Sequence, residues 1–465
     1  MKDTWFRLLL SLAVIFALLG ITCGLSLAQP DEIVDVQAYR NSRQAGLIAR
    51  NRIQPNRYLD STYTTQSYTN NNVAAKVSAA ADAIRAARKA DGSWAIDIYG
   101  DGNSLANLYG ITGMGLLMAS EMTADEIPQS EYLNAAMDAG DYLVNQDPNS
   151  LLSTDIVFLF GLHKIVTDSN YNQAGLAGLQ SFCYDPNFND PHEVYAFYDS
   201  DPNLVSVKHW NLASWVEAAN LYAGQDPNLG TWADGIMDLI CDDQEAKGGF
   251  FYKEFEEEAV THYCVRTCGQ AKVVEVLKRF YADDPDHVNN LKDGLSYLRG
   301  LQSDAEGGTS RGGRFSWGGE TVNGQLIPWG YETLQDQCYG IQAMAYNFQT
   351  TEDNYNKNKG PYWGAGYLIQ SMCNDGNIFE DTHGLTRVRV DRNSEAIQAL
   401  YYSCIEGDVD KSGKVTSFDA LRTKKAIDLS GPALVAAQRG ADDILKVAVG
   451  NNESQIGSFL DMVIQ

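Results

Sequence analysis

Tyr297-Leu298-Arg299-Gly300-Leu301-Gln302 closes an apolar, helix-patterned segment and leads toward a Gly-rich turn with an aromatic. The same ending returns along the chain. It appears at Tyr142–Gln146 (YLVNQ), at Leu176–Gln180 (LAGLQ) and at Tyr367–Gln370 (YLIQ). Ile236–Cys241 precedes Gly248-Gly249-Phe250, and Ala83–Lys89 precedes Asp91-Gly92-Ser93-Trp94. Gly318 after Trp317 and Asp375-Gly376 before Phe379 continue the series. Between these turns apolar residues recur at i, i+3, i+4 and i+7 from Asn71 to Cys404, and strand-like alternation is scarce. About twelve helical segments follow, near 72–89, 104–121, 130–145, 153–167, 171–183, 209–223, 228–242, 262–281, 286–302, 332–350, 361–373 and 392–403. A self-similar helix pair repeated at intervals of tens of residues marks a repeat architecture. Six hairpins can close on themselves, with six inner helices inside six outer ones; an open solenoid is the rival arrangement. Inner helices need apolar or small residues all round, and Leu105–Met122, with Gly110, Gly113 and Gly115, reads that way.

The helix ending in Tyr-Leu-x-x-x-Gln, followed by a Gly turn and an aromatic, resembles the repeat of the squalene-cyclase and protein-prenyltransferase superfamily. The resemblance covers most of 71–404 and implies an all-α fold, an α/α toroid. That shape hosts glycoside hydrolases, polysaccharide lyases, terpene cyclases and binding domains, so it decides no activity. A second resemblance lies in Gly407–Ala420, GDVDKSGKVTSFDA. Asp408, Asp410 and Ser412 offer oxygens at positions one, three and five of a calcium loop, Gly413 allows the sharp turn at six, and Asp419 closes it at twelve. This stretch resembles a dockerin-type module over 405–465, which implies calcium ligation also through the Lys414 carbonyl and Thr416. The remaining segment carries no second loop of that spacing. By this resemblance the module implies a polysaccharide-active enzyme tethered to a cohesin-type scaffold protein.

The N-terminus reads as a secretory leader over 1–28. Lys2 and Arg7 flank an apolar run from Leu8 to Leu19, and Ser26-Leu27-Ala28 offers a small-x-small cleavage site. Cys23 offers a lipid anchor as the alternative. Residues 29–70 are polar and read as an extended lead-in, followed by the toroid over 71–404. No later run is long enough to span a bilayer, so no stable membrane insertion is expected. Sixty acidic against 35 basic side chains, a formal charge of −25, argue against nucleic acid as a partner. Seven Cys remain beyond Ala28, mostly among apolar residues, where buried thiols and disulfides are equally compatible.

Four inter-helix stretches, Asp91–Asn103, His192–Trp210, Glu245–His262 and Glu306–Glu332, are rich in aromatic, charged and His residues. In a toroid such loops gather at one mouth. Trp94, Tyr195, Tyr198, Trp210, Tyr252, Trp317 and Trp329 (with Tyr99), assisted by Arg311 and Arg314, are candidates for a sugar-binding groove. Any one of them equally suits capping the core. Hydrolysis needs two carboxylates across the glycosidic bond. Candidates are Glu332, Asp336, Glu254 and Asp199, together with Asp97, Asp101 and Glu320. Eliminative cleavage needs a Tyr or His base and a cation; His262 with Tyr263, His192 with Tyr195, and Arg311 with Arg314 fit. Asp336-Gln337-Cys338-Tyr339 is similar to the zinc segment of prenyltransferase β subunits. The expected third ligand is missing: His383 precedes the helix and Arg392–Glu395 holds none. Cys264, Cys268 and His262 lack a clear fourth ligand. Zinc is therefore not expected. A zinc-dependent prenyltransferase-like or terpene-cyclase-like enzyme ranks below a glycoside hydrolase or polysaccharide lyase, and a non-catalytic adhesion or binding toroid is the alternative.

Overall fold

The computed structural model describes residues 70–89, 93–94, 108–122, 126–257, 259–303, 313–329, 333–348, 360–371, 379–382 and 385–403. The leader, residues 29–69 of the lead-in and the calcium loop lie outside them, as do Tyr99, Asp97, Asp101, Arg311, Glu332 and His383. Among the described residues there are thirteen α-helices and six strands. The helices are α1 (Asn70–Ala86), α2 (Leu108–Met122), α3 (Glu126–Val144), α4 (Ser153–Val166), α5 (Ser169–Cys183), α6 (Pro191–Ser200) and α7 (Lys208–Asn220). They continue as α8 (Pro227–Asp242), α9 (Thr267–Phe280), α10 (Val288–Leu301), α11 (Leu334–Phe348), α12 (Pro361–Ser371) and α13 (Val390–Ser403).

Helices α2, α4, α7, α9, α11 and α13 each pack against the next, and α13 packs against α2. The ring is closed. Each inner helix is backed by an outer one: α2 by α3, α4 by α5, α7 by α8, α9 by α10, α11 by α12, and α13 by α1. The fold is an all-α toroid, and the open solenoid is excluded by the α13–α2 seam. The first described helix thus covers the last.

Burial follows position in the ring. In α9 every residue from Thr267 to Leu277 is buried, and in α7 every residue from Lys208 to Ala219. Outer α8 buries one stripe, Leu229, Trp232, Ala233, Ile236, Met237 and Ile240, at the 3.6-residue period of a surface helix. Outer helices start where the sequence supplies caps. The Asp226 side chain accepts from Asn228 N ahead of α8 with Pro227 in the first turn, and Asp168 does the same for Asn170 N ahead of α5.

Two local expectations differ. Residues 192–200 form α6 rather than a loop, because Asp190 caps the turn opened by Pro191. Residues 260–266 form a strand rather than the start of a helix. β1 (Lys253–Glu257), β2 (Val260–Arg266), β3 (Gly318–Val322) and β4 (Gln325–Pro328) make one antiparallel sheet in the order β1-β2-β3-β4. β5 (Phe379–Thr382) and β6 (Leu385–Val388) form a separate hairpin. Val260–Arg266 is rich in β-branched and aromatic residues, which suit a half-buried pleated surface. Each hairpin leads into an inner helix, α9, α11 or α13. Since inner and outer helices alternate, the inner helices run parallel, and their N-termini and these hairpins share one end.

Candidate active site at the axial mouth

The inner helices enclose a cavity of about 60 Å³ on the toroid axis. Its floor is ionic. Lys272 Nζ on α9 lies 2.5 Å from Glu217 Oε2 on α7 and 3.3 Å from Glu275 Oε2. Arg279 bonds Glu217 as well and reaches Glu275 Oε1 at 3.0 Å. Burial opposes ionisation of Glu217, yet the charges of Lys272 and Arg279 outweigh it and hold the carboxyl at about 2.

Trp210 and Tyr339 line the cavity and meet edge to face at 5.8 Å. The Tyr339 hydroxyl donates to Glu395 Oε1 at 3.4 Å. Glu395 is buried, and burial pushes its carboxyl up to about 7 although Arg392, 2.8 Å from Oε2, opposes this. Asp391, one turn earlier, is treated oppositely. Burial resists its ionisation, but Arg389 and Arg392 keep it below the usual carboxylate range. Two carboxyls on one helix are thus driven apart in acidity, a pattern of sites that divide acid and base roles. Thr154 on α4, Gln342 on α11, Ser214 on α7 and Gln398 on α13 also line the cavity.

The four-stranded sheet lies at the end of the ring where the inner helices begin. Register places Phe255, His262, Cys264, Arg266 and Glu320 on one face. His262 Nδ1 lies 2.6 Å from Glu320 Oε1, with the Phe255 ring stacked on the imidazole at 4.7 Å. Trp317 and Trp329 stack at 4.8 Å, and the Arg266 guanidinium sits 4.8 Å above Trp317. Tyr263 points to the other face, beside Phe251 and Glu254. His262 and Tyr263 are therefore not one acid–base unit, since neighbours on a strand face opposite sides.

Asp336 is wholly buried at the third position of α11. Its Oδ1 accepts from Cys268 N at 2.8 Å and its Oδ2 from Thr333 Oγ1 at 2.5 Å. Asp155 holds the same place on α4, accepting from Gly110 N at 2.9 Å and Leu152 N at 3.1 Å. The repetition marks both as braces between neighbouring inner helices. Asp199 accepts from Lys208 Nζ at 3.0 Å; that ammonium also bonds Asp243 at 2.9 Å and lies 4.6 Å from the Tyr195 ring. His192, on the same helix as Tyr195, is exposed. This cluster fastens α6 to the ring.

The remaining aromatics are core. Trp94 donates its indole N–H to Ile84 O at 2.9 Å, and Trp215 donates to the Tyr198 hydroxyl at 3.0 Å. Tyr252 packs with Cys264, Trp317 and Trp329. Arg314 is half-buried, its carbonyl accepting from Ser303 N at 2.8 Å. Cys264 lies on a strand and Cys268 on α9, so they share no helix face. Among the described residues no three His, Cys, Asp or Glu groups gather to hold a metal, and no helix is long and apolar enough to cross a membrane.

The sequence reading passed over Glu217, Lys272, Glu275, Gln342 and Glu395. A signal existed. Lys272, Glu275 and Arg279 sit in α9 at i, i+3 and i+7 on a helix otherwise patterned for burial, and buried charges require partners.

No family model and no curated protein matches this chain. Among solved structures the similar ones include the GH76A alpha-1,6-mannanase from Salegentibacter sp. HEL1_6. It shares 10% identity at a TM-score of 0.48, over 71% of this chain and 98% of that one. An unsaturated glucuronyl hydrolase specific for heparin shares 11% identity at a TM-score of 0.48, over 72% and 96%. A protein from Actinoplanes shares 15% identity at a TM-score of 0.41, over 71% and 99%. The fold assignment rests on the closed ring of inner helices rather than on these likenesses.

Proposed function

We propose that this chain is a secreted polysaccharide-active enzyme that hydrolyses glycosidic bonds at the axial mouth. The observation that carries the reading is the Tyr339–Glu395 pair. A leaving glycosidic oxygen needs a proton, and a carboxyl poised near 7 can hold and release one at neutral pH. Tyr339 lines the cavity; with Glu395 protonated, the carboxyl O–H would donate to the Tyr339 oxygen while the phenol proton passes to the leaving oxygen. Water attacks the anomeric carbon as the glycosidic bond breaks, and the proton it gives up restores the acid form of Glu395. Trp210 and Tyr339 offer apolar faces to a sugar ring. The dockerin-like module would bind calcium and tether the enzyme to a cohesin-type scaffold.

The test is incubation of the full chain with a panel of neutral and uronic polysaccharides. New reducing ends without ultraviolet absorbance from unsaturated uronates are expected, with Glu395→Gln at least about tenfold slower, as general acids contribute about 10²–10⁴-fold. Unsaturated products would overturn hydrolysis in favour of elimination, with His262 as base. A second reading, a binding toroid without catalysis, is favoured by one observation: both floor carboxylates are committed to Lys272 and Arg279. Binding with no product from any glycan establishes it. For the tether, calcium is expected to raise the melting temperature, and Asp408→Ala with Asp419→Ala to abolish the rise. No rise in the parent chain refutes the loop.

A further inference from the structure

We infer that the axial cavity is a specificity pocket for the exocyclic hydroxymethyl arm of a neutral sugar. This rests on the proposed glycan-acting site and names its substrate class. Size comes first. A water needs about 10–15 Å³ by this measure, so about 60 Å³ holds on the order of four waters. A short arm fits.

Hydrogen bonding comes second. Gln342 is 3% exposed, and its Nε2 has no partner among the described residues. The buried Thr154 hydroxyl likewise has none. Both line the cavity from opposite sides, on α11 and α4. An unpaired buried amide N–H is costly unless an acceptor arrives. A hydroxyl that reaches either group satisfies it, accepting from Gln342 Nε2 or exchanging a bond with the Thr154 hydroxyl.

Charge decides between a hydroxyl and a carboxylate. Glu217 and Glu275 offset Lys272 and Arg279, so the ionic floor carries no net charge. A uronate carboxylate would enter without a free cation and would face two carboxylates, an arrangement whose desolvation nothing compensates. Met114 and Val157 add apolar wall suited to a methylene rather than an ion.

The experiment is titration calorimetry of the full chain with cellohexaose and mannohexaose, which carry the arm, with xylohexaose, which lacks it, and with hexagalacturonate. The arm-bearing sugars are expected to bind about tenfold or more tightly than the other two, equivalent to about 1.4 kcal/mol. Thr154→Val and Gln342→Leu should each narrow that difference to about threefold or less, while circular dichroism stays unchanged. Should Gln342→Leu misfold, Thr154→Val alone tests the claim. Equal binding of xylohexaose and cellohexaose overturns the pocket while leaving a glycan-binding site standing. Tighter hexagalacturonate overturns its neutrality. No binding of any oligosaccharide removes both the pocket and the function it rests on.

Discussion

Asp155 and Asp336 show how one side chain serves the ring. Each binds the start of its own inner helix, Asp155 through Leu152 N and Asp336 through the Thr333 hydroxyl, and reaches the first turn of the preceding one, so a single carboxylate joins two elements. For Asp155 the cost is desolvation: burial raises its carboxyl to about 7, with the two backbone N–H donors opposing. The unfolded group titrates near 3.8, so between roughly pH 4 and 7 the folded state binds more protons than the unfolded. Stability contributed by this group therefore falls as pH rises through that window, with a slope of at most about 1.4 kcal/mol per unit. Glu395, raised from 4.5 to about 7, acts in the same direction. We expect Asp155→Asn to flatten the pH dependence of denaturant-derived stability between 4 and 7. The variant should also lose about 1–2 kcal/mol at pH 4 because an amide cannot accept both N–H groups as well. An unaltered slope would remove Asp155 as its source.

At the scale of elements the recurring Gln explains why the repeat was legible. Gln302 donates to Gly313 O at 2.8 Å and to Gly360 O at 3.0 Å, and accepts from Gly360 N at 2.7 Å. Phe315 bridges to Gln302, and Phe250 bridges to Gln244 and Trp94 to Arg88 in the same way. Helix end, Gly turn and aromatic form one device, and the 3.6-residue pattern around it located the helices. The aromatic of the 302 copy is Phe315, not Trp317, because the bridge forms three residues before β3 begins. The sheet and α6 were harder to read. Their residues pack on both local and distant partners, so alternation is masked, and only register separates His262 from Tyr263. The cavity was least legible, since it depends on which helix faces meet across the axis. The motif also contains its own control. Among the described residues the Gln146 side chain bonds only Tyr142 O, one turn earlier, at 3.1 Å. Gln302→Leu is expected to cost on the order of 3 kcal/mol by orphaning buried glycine backbone, while Gln146→Leu stays within about 0.5 kcal/mol. Thermal melts of the two variants decide this; equal losses would deny Gln302 its clamp.

The whole molecule is held by closure, and closure has a definite weak point. Gly115 on α2 faces Ser394 on α13, where the first inner helix meets the last. A β-carbon built on Gly115 lies 2.9 Å from Ser394 Cα, a backbone atom that cannot move without displacing α13. Ser394 Oγ bonds Ile111 O across the same seam. Elsewhere in the ring, Gly161 would bring its β-carbon no closer than 3.4 Å, to the end of the flexible Met114 side chain. Helix propensity alone favours alanine at both positions by up to about 1 kcal/mol. Gly161→Ala should accordingly be neutral or slightly stabilising. Gly115→Ala should lose about 1–3 kcal/mol, the usual cost of overpacking, because the two helices must separate. In a closed ring each inner helix has two inner neighbours, so a loosened seam lowers the stability of every hairpin together. The expected result is one calorimetric transition at lower temperature, rather than an early partial melt of one end. An open array would behave otherwise: α2 and α13 would not touch, and Gly115→Ala would gain stability like Gly161→Ala. Hydrogen exchange separates these outcomes directly. Faster exchange in α7 and α9, remote from the substitution, together with α2 and α13, is the signature of a ring; acceleration confined to the terminal helices would contradict it.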